Sequence, residues 1–230
     1  MGEAHDRRPT AVRVAMAEEL GDRCNGHPEN VDAALPVLLG LLEHETDIQV
    51  LAAIASALGL MWTPRCLGPL LSLATHADGD VRLAATQGLG GAMCEIEDPA
   101  GVAALLVLSR DEDAEVRDWA TFQIAQLEAD SDEIRSALWE RVQDTDTDAD
   151  GEALVGLARR KDSAVRRILA ARLKEGNAGN LIVEAAAELG DPALYPLLVR
   201  LAERGWKLSD QRPEVLDQAL EACRPPDLSG

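Results

Sequence analysis

Three stretches of this 230-residue chain carry side chains whose type and spacing could do chemistry. In Asp146-Thr147-Asp148-Ala149-Asp150-Gly151, carboxylates alternate along the chain ahead of a glycine, as they do at the start of a calcium loop. Such a loop closes on a bidentate glutamate at its twelfth position, where this chain has Leu157, so the stretch reads as an acidic connection between helices. His44-Glu45 offers an imidazole beside a carboxylate. All four histidines, His5, His27, His44 and His76, lie in the first third of the chain, too few and too localised for an imidazole-rich iron site. Arg159-Arg160-Lys161, followed by Arg166-Arg167, is the one basic cluster; it falls where a helix ends, and cations are favoured there by the helix dipole, so it reads as a solvated helix end. The cysteines, Cys24, Cys66, Cys94 and Cys223, form no C-x-x-C pair and read as buried free thiols. No G-x-S-x-G elbow or phosphate-cradling loop occurs, and Gly88-Leu89-Gly90-Gly91 reads as the end of a helix. The expectation is a protein with no catalytic residue, no cofactor and no metal.

Charge narrows the partners. With 22 Lys and Arg against 41 Asp and Glu, the formal net charge is −19, which repels phosphate backbones and argues against nucleic-acid binding. The N-terminus lacks the apolar core of a signal peptide, and no run of about 18 apolar residues follows, so a cytoplasmic chain without membrane contact is expected. Hydrophobic residues make up 47% and aromatics only 3%, the composition of closely packed small-residue helices.

The elements that would position any functional group come from a repeat. Segments beginning at Val12, Val50, Val81, Val116, Ala149 and Leu181 superpose, with apolar residues at positions zero, four and eight of each, which is a helical stripe. Asp47, Asp78, Asp113 and Asp146 stand three residues before position zero, where a carboxylate caps a helix. Gly21, Gly59, Gly90 and Gly190 occupy position nine and read as helix stops. Between these helices lie second apolar segments at 31–42, 65–74, 99–108, 134–142, 165–173 and 192–201, three of them with an internal proline that would bend an outer helix. A weaker copy starts near Val215. A helix pair of this size cannot bury its apolar face alone, so the units are expected to stack as an all-α α-solenoid of about six to seven repeats. One solenoid over residues 1–224, a short disordered tail at 225–230 and a monomeric state are expected.

Asp78-Gly79-Asp80-Val81-Arg82-Leu83-Ala84-Ala85 and Asp113-Ala114-Glu115-Val116-Arg117 carry an Asp-x-x-Val-Arg-x-x-Ala core that resembles the HEAT-repeat family, in particular its short bilin-lyase-like repeats. HEAT-repeat hydroxylases with a di-iron centre place His-Glu pairs at positions two and three of this register. The equivalents here are Asp118-Trp119, Gly151-Glu152 and Val183-Glu184, which keep two acids and no histidine.

With zero, four and eight in the core, positions two, three and six turn to the other side, the concave face of a solenoid. Position three changes from Ala15, Ala53 and Ala84 to Trp119, Glu152 and Glu184 along the chain. Asp118, Trp119, Phe122, Glu152 and Glu184 are therefore the candidate partner-binding residues. Trp119 and Phe122, three apart, share a face: packed between repeats they would be core, and exposed among carboxylates they would be a binding anchor. The segments 116–122, 151–162 and 184–191 are further similar to a bacterial HEAT-repeat family with members beside Rhs-type polymorphic toxins, regarded as their immunity proteins. That resemblance implies a non-catalytic scaffold whose partner is a basic protein such as a toxin domain. A small-molecule enzyme on the same repeats, or a general adaptor, is the alternative.

Overall fold

A computed structural model describes residues 8–144, 147–175, 178–206 and 212–226. Among these residues there are thirteen α-helices and no strand. The first helix of each pair is α1 (Thr10–Cys24), α3 (Ile48–Gly59), α5 (Gly79–Ala92), α7 (Ala114–Gln126), α9 (Thr147–Arg159), α11 (Asn180–Leu189) and α13 (Pro213–Ala222). The second is α2 (Val31–Leu42), α4 (Leu67–Leu73), α6 (Pro99–Leu108), α8 (Asp132–Arg141), α10 (Val165–Glu175) and α12 (Tyr195–Glu203). The chain divides into two compact units, residues 1–123 and 124–230. In the first, α1, α3 and α5 pack side by side with α2, α4 and α6 behind them; in the second, α9, α11 and α13 do so with α8, α10 and α12. The fold is all-α, of the helical-repeat solenoid class. The expected tail at 225–230 lies mostly outside the described residues.

Local chemistry places the helix starts. Asp47 and Asp78 accept hydrogen bonds from the amides of Gln49 and Asp80, each at 3.0 Å, and Asp113 accepts from Glu115 at 2.9 Å. Each satisfies an amide that the first turn leaves without an intrahelical partner. Asp146 lies outside the described residues. Of the three prolines in the second helices, Pro36 sits inside α2, whereas Pro196 stands in the first turn of α12, where its missing N–H costs nothing.

The apolar stripe is buried in the middle repeats. Val50, Ile54 and Leu58 in α3, and Val81, Ala85 and Leu89 in α5, are fully enclosed, and so are their equivalents in α7 and α9. The register turns by one residue in α1, where Val12 is 47% exposed while Arg13, Ala17, Gly21 and Cys24 are buried against the next helices. Among the described residues α1 packs on α3 and α2, so only the side facing them is enclosed. In α11 the buried set is Ile182, Val183, Ala185 and Ala186, while Leu181 and Leu189 at positions zero and eight are half-buried.

The glycines differ from their reading as stops. Only Gly190 of the position-nine set is left-handed, with φ 65°, and caps α11. Gly21 and Gly90 lie inside their helices, and Gly59 is the last residue of α3. A Cβ on Gly21 would stand 2.7 Å from the Ala57 Cα, and one on Gly59 2.6 Å from the Gly88 Cα. The row is a contact seam: glycines let neighbouring backbones approach closer than any side chain allows. At Gly91 a Cβ would lie 2.3 Å from the Gly59 carbonyl oxygen. We therefore expect Gly91→Ala to lower the unfolding free energy by about 1–3 kcal/mol, because overpacking against a backbone atom outweighs the gain of about 1 kcal/mol in helix propensity. Urea denaturation checks this, and a stabilised variant would show that the seam can open without cost.

Candidate functional site

Positions two, three and six can be followed helix by helix in the first unit. Position six is exposed in α1, α3, α5 and α7, as Glu18, Ser56, Gln87 and Phe122. Position three is exposed as Ala15 in α1, buried as Ala53 and Ala84 in α3 and α5, and exposed again as Trp119 in α7. Trp119 is 39% and Phe122 36% exposed, their ring centroids 5.7 Å apart and the rings at 84°, an edge-to-face pair. Between the open alternatives the structure favours the surface. The two rings pack on each other and each keeps over a third of its surface in solvent, with Asp118 half-buried beside them and Glu115 exposed one turn earlier.

α7 is held in place by side chains that the sequence reading passed over. Gln123, 7% exposed, donates from Nε2 to the Thr86 carbonyl at 2.5 Å and so ties α7 to the middle of α5. Arg82, the arginine of the repeat core, donates from Nε and Nη2 to the two Asp111 carboxylate oxygens at 2.8 and 2.7 Å, and from Nη1 to the carbonyls of His76 and Ala77. Arg117, one repeat on, reaches the carbonyls of Asp111 and Glu112 in the same way. Burial pushes the Asp111 carboxyl up, but the Arg82 fork and the Asp113 amide outweigh it and hold the group below its ordinary value. Arg13 makes the corresponding pair with Glu45, at 2.7 Å with only 3% of the Glu45 side chain exposed, so the His44-Glu45 acid is a structural ion-pair partner. The sequence signal for this device was the arginine itself, recurring one residue after position zero.

In the second unit Glu152 is half-buried. Glu184 has 27% of its side chain exposed and lies 3.5 Å from both Arg159 and Arg212. Arg159 also donates to Glu188 at 3.0 Å. Arg160 corrects the reading of the basic cluster as a solvated end: only 4% of its side chain is exposed, and it donates to the carbonyls of Gly156, Ile124, Leu127 and Ala129. Three of the four acceptors, Ile124, Leu127 and Ala129, lie about one repeat earlier in sequence, which is why local pattern did not reveal them. Asp148 is exposed in the first turn of α9, whereas Asp150 is buried 2.5 Å from Arg172. Burial raises the Asp150 carboxyl above its ordinary value although Arg172 opposes the shift. These two acids point to different surroundings, one to solvent and one to the interior. No group of three or more His, Cys, Asp or Glu among the described residues could hold a metal ion, and no helix there is long and apolar enough to cross a membrane.

Comparison with known proteins agrees with the repeat. The model of the HEAT repeats matches residues 3–90. Protein YibA of Escherichia coli K12 is 38% identical over 133 residues, 58% of this chain and 46% of YibA, and YibA of E. coli O157:H7 matches equally. The match therefore spans about half the length of these curated relatives. The X-ray structure of E. coli YibA superposes over 94% of this chain and 82% of that one, with a TM-score of 0.66 at 24% identity. An engineered protein superposes over 94% of this chain and 66% of its own, with a TM-score of 0.56 at 20% identity. At these identities the structural likenesses speak for fold alone. The capping aspartate and the arginine that reaches back to loop carbonyls recur past residue 90, at Asp113 and Arg117, so the architecture of the segment that matches the HEAT repeats continues beyond it.

Proposed function

We propose that the chain is a non-catalytic protein-binding scaffold, and in its most specific form an immunity-type inhibitor of a basic toxin domain. The observation that carries this reading is the edge-to-face pair of Trp119 and Phe122, left exposed on a helix that also bears Glu115 and Asp118. A folded chain with few aromatics gains nothing by showing two of them to water, whereas a partner that covers them gains both area and ring contacts. The net charge of −19 favours a basic partner, since opposite charge speeds encounter. Asp118, Trp119 and Phe122 are the proposed contacts on the first unit, and Glu152 and Glu184 those on the second.

The test is binding to the C-terminal domain of an Rhs-type toxin encoded beside this chain's gene. Trp119→Ala should weaken the complex by at least ~2 kcal/mol, about 30-fold, as an interface hot spot does. Its effect on folding stability should stay below the ~3–5 kcal/mol that a core tryptophan costs, because Trp119 is 39% exposed. Glu152→Gln and Glu184→Gln should chiefly slow association and flatten its salt dependence. Full affinity in a folded Trp119→Ala, Phe122→Ala variant would remove this surface from the reading. Failure of the toxin domain to bind the wild-type chain would remove the immunity role.

A further inference from the structure

A second feature of the first unit has no part in the Trp119 surface. Trp62 follows the C-terminus of α3 with φ 47°, in the left-handed region, and is 59% exposed. Just past the ends of α1 and α11 the left-handed residues are Gly26 and Gly190, the residue type that adopts this backbone without strain, and past α9 it is Lys161 with φ 54°. A tryptophan there crowds its own backbone and leaves most of its indole in water, two costs that the helix end does not require. The strain stands beside other exposed apolar surface. Cys94 Sγ donates to the Trp62 carbonyl at 3.3 Å, which joins the loop after α3 to the loop after α5. Two residues on, Ile96 is 72% exposed. That second loop reads Glu95-Ile96-Glu97-Asp98, with Glu95 exposed, Glu97 and Asp98 half-buried, and Asp98 capping α6 by accepting from the Ala100 amide at 2.8 Å.

We propose that the joined loops form a docking edge for a basic protein segment, with Trp62 and Ile96 as apolar anchors and the exposed Glu95 carboxylate, in an acidic loop, receiving a flanking Lys or Arg side chain. Charge complementarity selects this occupant. A second copy of a chain at −19 would bring like charge to the edge, whereas a segment with an apolar side chain between cations matches both features. The edge is independent of the Trp119 reading, since it lies on the connections and the aromatic pair lies on α7.

The probe is a fluorescein-labelled dodecapeptide with a Leu-Phe core flanked by Arg and Lys, and its counterpart with the same core flanked by Asp and Glu, each titrated against the full chain by anisotropy. The basic peptide should bind at least ~10-fold more tightly than the acidic one. Trp62→Gly and Ile96→Ser should each weaken it by ~10-fold or more, while Trp119→Ala changes it less than ~2-fold. N-ethylmaleimide on Cys94, the one exposed thiol among the free cysteines, should block the same binding. Trp62→Gly should leave the melting temperature unchanged or higher, because glycine relieves the left-handed strain. Absence of binding by the basic peptide, equal binding after Trp62→Gly, or loss confined to Trp119→Ala would overturn the proposal. So would a marked fall in melting temperature on Trp62→Gly, which would assign the indole to the fold.

Discussion

Arg160→Met should lower the stability of the unit formed by residues 124–230 by about 3–5 kcal/mol, the range seen when a buried charged group that satisfies several partners is removed. Arg160 is the C-terminal clamp of α7 as well as a residue of the α9 end. Its Nη2 accounts for the carbonyls of Ile124 at 3.1 Å, Leu127 at 2.8 Å and Ala129 at 2.8 Å, and its Nη1 for that of Gly156 at 2.9 Å. The last carbonyls of a helix have no intrahelical donor, so this one planar fork does what a glycine cap does elsewhere. Methionine keeps much of the volume and supplies no donor, and each carbonyl left dry costs about 1–3 kcal/mol. Arg160→Lys should recover only part of the loss, since one ammonium cannot reach acceptors spread around a fork. Urea denaturation followed by circular dichroism measures both. A loss under about 1 kcal/mol for methionine would mean that water replaces the guanidinium and that the clamp is dispensable.

Arg82→Ala is expected to cost a similar amount, about 3–5 kcal/mol at neutral pH, and to change the acid limb of the stability curve. The Arg82 and Asp111 side chains are 11% and 10% exposed, and the fork that joins them also holds the His76 and Ala77 carbonyls. Truncation leaves Asp111 enclosed without its counter-charge. Because the Asp111 carboxyl is held below its ordinary value, its contribution is fully present above the unfolded carboxylate pKa, near ~4. It is lost as pH falls through the lower folded value. Arg82 is shifted up, chiefly by its hydrogen bonds to Asp111, so its own charge persists throughout this window. The difference between wild type and Arg82→Ala should therefore be flat from pH 7 to about pH 5 and shrink below about pH 4. Denaturation at pH 7, 5 and 3 tests this. A difference that stays constant to pH 3 would show that the carbonyl hydrogen bonds, and not the ion pair, hold the two loops together.

The sequence by itself determined the helix pairs and their repeat. A stripe of period 3.6 and a capping aspartate act within one or two turns, so Val50, Ile54 and Leu58 behind Asp47, or Val81, Ala85 and Leu89 behind Asp78, specify their helices without knowledge of any neighbour. It also singled out Trp119 and Phe122 as residues on one face, since i and i+3 are neighbours on any helix. Tertiary structure decided what depends on residues about one repeat away. Whether those two rings were core or surface turned on what covers α7, and the glycines turned from stops into a seam because Gly59 meets Gly88 and Gly91 meets the Gly59 carbonyl. Arg160 passed from a solvated helix end to an interior clamp for the same reason: its acceptors at Ile124, Leu127 and Ala129 come within reach only when successive repeats stack. Hydrophobic periodicity and capping are written locally, whereas burial, close approach and the satisfaction of distant carbonyls are properties of the stacked repeats.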